Sequence, residues 1–148
     1  MTAYKFLLQA HSGFRYIVIL LLVVAIVTAL AGWFGKKTYT NGNRKLNLFT
    51  MISAHIQLLL GLALYFVSPF VKFDSGTMKD DTTRYWTVEH IAMMVFAIAL
   101  ITIGHARSKR AQLPEGKHRV IAIAYLLATL VVVVAILQSQ RGLFGMTH

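Results

Sequence analysis

Six histidines occur in this 148-residue chain, and five of them (His11, His55, His90, His105 and His118) fall within or at the ends of apolar runs. An imidazole placed in hydrocarbon needs a partner, because an unsatisfied buried polar group costs on the order of 1–3 kcal/mol. Ionisable side chains inside membrane spans are rare, usually face the bundle interior, and mark cofactors, proton paths or ion paths. The chemistry open to these residues is therefore metal or cofactor ligation and proton handling. Cysteine is absent, which excludes disulfides, thiolate zinc sites, cysteine-bound clusters and a cysteine nucleophile.

The elements that must position these histidines follow from composition. Hydrophobic residues make up 57% of the chain and charged residues only 14%, which places it outside ordinary soluble usage and in a membrane. Four apolar runs, at about 4–34, 45–68, 84–106 and 117–139, each approach the roughly 20 residues that a helix needs to cross a bilayer. The expected fold is all-α: a single membrane domain over residues 1–148, a four-helix bundle of antiparallel, up-down topology. The first run is too long, and too poor in a small-residue cleavage site, to be a removed signal peptide. VVVVAIL (131–137) is β-branched, yet helix is expected there because every backbone group in lipid must be satisfied within its own segment.

The connections carry the charge. GKKTYTNGNRK (35–45) and ARSKRAQLPEGKHR (106–119) are basic and rich in turn formers, whereas SPFVKFDSGTMKDDTTRYWT (68–87) is longer and mixed in sign, suited to fold over one mouth of the bundle. Nine of the fifteen Lys and Arg residues share the side of the two basic connections. The positive-inside rule then places those connections in the cytoplasm and both termini outside, with Trp33 and Trp86 at opposite interfaces. The net charge of +10 is thus a topology signal, and no soluble domain remains to read nucleic acid.

Depth pairs the histidines. His11 lies near the outer end of the first helix and His90 enters the third from the same side, four residues after Trp86. His105 ends the third helix and His118 opens the fourth, both on the cytoplasmic side. The fifteen residues between His90 and His105 correspond to roughly 22 Å along one helix and about 60° around it. That spacing suits one or two b-type haems held by paired histidines, with the third helix giving one ligand to each. His11 would complete the outer site, and His118 or His55 the inner one. His55 lies about 10 Å from either level by helix rise, so its partner stays open. Arg15, one turn after His11, and Arg84 with Tyr85 are candidate propionate partners at the outer mouth. Ala10, Ser12, Gly13, Ala54, Gly61 and Gly104 leave room for a macrocycle or for close helix packing.

Other readings compete with this one. Each histidine can simply hydrogen-bond a neighbouring helix, as in a small accessory subunit of a membrane complex. A metal- or proton-conducting protein would need a polar path from His105 or His118 through His55 to His90, to which the second helix adds only Ser53 and Gln57. Three histidines with Glu89 would suit copper or zinc. Met93 and Met94 read as core filler, His148 as solvent-exposed and Asp80-Asp81 as a solvated loop. GxSxG, P-loop, GxGxxG and HExxH motifs are all lacking, which removes the usual warrants for hydrolysis and phosphoryl transfer.

With HSGFRY (11–16), SAHIQLLLGL (53–62) and TVEHIAMM (87–94) in view, the chain resembles the small bacterial four-helix membrane proteins grouped as cytochrome b-like, of the dihaem type. The resemblance implies bis-histidine b haems between helices, a bacterial inner-membrane location, and electron transfer between a quinol pool and a partner. It implies His11, His55, His90 and one or both of His105 and His118 as ligands. An electron-transfer oxidoreductase, partnered by lipid, quinol and a larger respiratory complex or further copies of itself, is the function to be expected. Quinol would react at the outer mouth, where His11, Arg15, Glu89 and His90 are placed to accept protons.

Overall fold

The computed structural model describes residues 3–67 and 89–138, which form four helices: α1 (Ala3–Phe34), α2 (Asn41–Val67), α3 (His90–Arg110) and α4 (Pro114–Gln138). All four are long and apolar enough to cross a membrane. α1 packs on α2 and α4, and α3 packs on the same two, so the helices close a four-membered ring with α1 diagonally opposite α3. The α3–α4 interface is the most extensive of the four and the α2–α3 interface the thinnest. Residues 131–138 continue α4 as helix, as lipid requires.

The distribution of side chains is that of a protein whose solvent is hydrocarbon. Leu20, Phe49, Leu59, Phe96, Ile103 and Leu130 stand on the outer surface, while Ser12, Asn47, Thr50, Ser53, His105, Ser108 and His118 are buried inside. The core is a seam of small residues, among them Ala25, Ala29, Ala54, Ala97, Ala122 and Ala128, into which Leu22, Ile101, Ile121 and Tyr125 are set. Small residues let helix backbones approach closely, which is how spans associate when lipid removes the hydrophobic drive between them.

Polar caps extend the helices past their apolar runs. α2 begins four residues before its hydrophobic stretch because Thr40 and Asn43 cap it reciprocally: Thr40 Oγ1 accepts from the Asn43 amide at 3.1 Å, and Asn43 Oδ1 from the Thr40 amide at 2.8 Å. α4 starts early at Pro114, whose fixed φ and missing amide suit the first helical position. α3 runs on to Arg110, where Lys117 Nζ donates to the terminal carbonyls of Ser108 (2.9 Å) and Lys109 (3.2 Å).

At the end of α1 the Lys36 amide donates to Trp33 and the Lys37 amide to Gly32, the two bonds of a Schellman motif. Lys36 itself holds φ 52°, a left-handed conformation that favours glycine. Lys36→Gly is therefore expected to raise the stability of the detergent-solubilised protein by about 1 kcal/mol, read by thermal unfolding; an unchanged midpoint would show that this strain is relieved elsewhere.

Candidate cofactor site

Two of the five histidines meet between α1 and α3. His11 on α1 and His90 at the start of α3 come from diagonally opposite helices, with ring centroids 6.4 Å apart and ring planes crossed at 86°. The third wall is α2. Gly61 lies against the His11 ring, so that a Cβ there would sit 3.3 Å from Cε1, and Gln57 Nε2 donates to the His11 carbonyl at 2.8 Å. Three polar atoms of this region are buried without a hydrogen-bond partner among the described residues: His11 Nδ1, Ser12 Oγ and Gln57 Oε1. Arg15 follows one turn after His11, its guanidinium 5.2 Å from the Tyr16 ring and donating to the Tyr16 hydroxyl at 3.4 Å. Arg84, Tyr85 and the expected cover of the mouth by residues 68–87 lie outside the described residues, as does Trp86.

His55 is held across the bundle. Its Nε2 is 2.8 Å from Thr102 Oγ1 on α3, and the threonine hydroxyl gives its single proton to the Ile98 carbonyl, also at 2.8 Å. His55 must therefore be the donor, as the Nε2–H tautomer. Thr102→Val keeps the shape but removes the acceptor. It is expected to cost roughly 0.6–1.7 kcal/mol in thermal unfolding, whereas wild-type stability would show that the bond contributes nothing.

His105 and His118 share an end of the bundle but are not brought together. His118, 2% exposed, faces α1 and the α1–α2 connection, its Nε2 donating to the Thr38 carbonyl at 3.1 Å and its ring set edge-on to Tyr39 at 5.1 Å. It rests directly on Gly32, where a Cβ would fall 2.5 Å from both ring nitrogens. His105, also 2% exposed, instead lines a groove of about 470 Å³ at the α2–α3 seam, with Met51, Thr102, Ala106, Lys109 and Arg110. Neither of its ring nitrogens has a hydrogen-bond partner among the described residues.

Several residues that organise these sites escaped the sequence reading. Tyr125 donates from its fully buried hydroxyl to the Asn47 carbonyl at 2.8 Å, and Asn47 Nδ2 donates to the Tyr39 hydroxyl at the same distance, so α4, α2 and the first connection form one polar network. Asn47 reads in sequence as an interfacial residue, and Tyr125 and Thr102 as ordinary members of apolar runs. Thr102 does carry one signal, because it precedes His105 by three residues and so shares its helix face.

Among the described residues, no group of three or more His, Cys, Asp or Glu side chains gathers to hold a metal ion, so the competing copper or zinc arrangement of three histidines with Glu89 does not form there. Comparisons with protein-family models, curated proteins and solved structures found no match.

Proposed function

We propose that the protein is a membrane b-type cytochrome in which His11 and His90 are the axial ligands of one haem and the function is electron transfer. The observation that carries this reading is the separation of the two rings. An imidazole–metal bond is roughly 2 Å long and a ring nitrogen lies roughly 1 Å from its ring centre, so two imidazoles on one metal have centroids about 6 Å apart. The rings here are 6.4 Å apart. Among the described residues only this pair of histidines gathers here, fewer than a four-coordinate bare-ion site needs, whereas a tetrapyrrole would bring its own nitrogens and need two more from the protein.

Two features of the surroundings support this reading. Gly61 leaves the His11 ring room that a side chain would take, and the orphaned His11 Nδ1 is a buried atom that ligation, or a bond set by ligation, would satisfy. Haem supplies one-electron redox chemistry when bound. The chain's own residues would hold and orient it: His11 and His90 would be its ligands, Gln57 anchors the α1 backbone at His11, and Arg15 would offer a cation to a propionate. Quinol as the electron source and a larger respiratory complex as partner follow from the same reading. So does a bacterial inner membrane, with the basic end cytoplasmic.

His55 and His118 belong to the competing structural reading, since each has a hydrogen-bond acceptor in place. This divides the five histidines by role and limits the proposal to one haem. The test is a dithionite-reduced minus oxidised spectrum with a pyridine haemochrome assay on protein purified after expression with ample haem. A sharp b-type α band at one haem per chain is expected. A colourless protein would overturn the reading and leave a structural membrane subunit.

A further inference from the structure

The groove beside His105 lies at the opposite end of the bundle from the His11–His90 pair and is independent of it. Its position follows from packing: α2 and α3 form the thinnest interface of the ring, and the groove opens along that seam, where Met51 on α2 faces Thr102, His105, Ala106, Lys109 and Arg110 on α3. Its chemistry is lopsided. Lys109 and Arg110 are exposed at the rim, and neither has a carboxylate partner among the described residues.

His105 itself is the second and sharper observation. An imidazole 2% exposed, with neither ring nitrogen partnered among the described residues, is a costly thing to keep in a folded core unless something brings hydrogen-bonding capacity to it. A haem at this level would need a second axial imidazole, and both His55 and His118 are engaged elsewhere. The missing partner must bring hydrogen-bonding capacity to a histidine that lines the groove, carry negative charge toward Lys109 and Arg110, and tolerate the apolar flank of Met51 and Ala106. An oxyanion on an amphipathic molecule meets all three conditions. Basic pockets between transmembrane helices at the cytoplasmic face are the usual seats of acidic lipid headgroups.

We propose that this groove is a binding site for a phosphate-bearing anion, of the kind presented by an acidic phospholipid headgroup, with His105 as the buried hydrogen-bonding residue and Lys109 and Arg110 as the cationic rim.

The test uses full-length protein in neutral detergent, titrated separately with phosphatidylglycerol, phosphatidylcholine and inorganic phosphate, and reads the thermal unfolding midpoint. Phosphatidylglycerol is expected to raise the midpoint saturably, and phosphatidylcholine to leave it unchanged. In K109Q/R110Q the half-saturating phosphatidylglycerol fraction should rise roughly 30-fold. K36Q/K37Q, which removes the same charge from exposed positions on the neighbouring connection, should keep the wild-type response. His105→Asn, bearing a smaller amide, should weaken the response without removing the rim charges. An equal shift with millimolar inorganic phosphate would assign the site to free phosphate rather than to lipid. No shift with either anion, or equal loss in the two double variants, would overturn the proposal, the second outcome reducing it to the general charge of that face.

Discussion

His11→Ala and His90→Ala are each expected to leave the purified protein with at least tenfold less haem per chain, whereas His55→Ala and His118→Ala retain it. The asymmetry follows from what each ring does. His11 and His90 come from opposite corners of the helix ring and meet at the separation two axial ligands require, so removing either leaves a one-sided site. His55 and His118 spend Nε2–H on Thr102 and on the Thr38 carbonyl, and their loss weakens packing rather than ligation. A glycine variant of His90 supplied with free imidazole should regain the absorbance, because the small ligand fits the space its side chain vacates. Loss of haem on replacing His55 but not His90 would reverse the assignment.

Gly32→Val should be strongly damaging to the basic half of the bundle. A Cβ at Gly32 would come within 2.5 Å of both nitrogens of the His118 ring, and that ring cannot swing aside without giving up the Thr38 carbonyl and the face of Tyr39. Overpacking of this kind costs roughly 1–3 kcal/mol, and the lost hydrogen bond adds to it. The thermal midpoint in detergent should fall by about 5–10 °C, at a few degrees per kcal/mol for a chain of this size. Pairing the change with His118→Ala should relieve much of the damage, because the atoms nearest the new Cβ all belong to the His118 ring; additive effects in the double variant would contradict the contact.

The helices and their count were legible because lipid imposes a length and an internal hydrogen-bond requirement on every span. Their ends were less so. Polar first and last turns such as those of Asn41–Arg44 and Arg107–Arg110 remain helical through Thr40, Asn43 and Lys117, contacts that hydropathy does not register. Depth was legible too, and it was enough to bring His11 opposite His90.

Azimuth was not. His105 and His118 lie at one end and flank one short connection, yet Gly104 is turned onto Ala124 and Tyr125 of α4, and the next residue is therefore carried about 100° round toward α2. His118 is carried the other way, toward Gly32 on α1. The partner of His55 was hidden for a related reason, since a threonine in an apolar helix usually satisfies itself on its own backbone. Thr102 does so with the Ile98 carbonyl and still accepts from His55.

The most direct measurement of the central claim is the low-temperature electron paramagnetic resonance spectrum of the oxidised protein. Two imidazoles on one ferric iron would make it low-spin, and ring planes kept crossed at 86° would leave two of its d orbitals nearly degenerate, which would stretch the g tensor. A haem held by His11 and His90 should give a single, strongly anisotropic low-spin signal that disappears in both His11→Ala and His90→Ala. A high-spin signal, showing an open axial position, or the absence of any haem signal would contradict it.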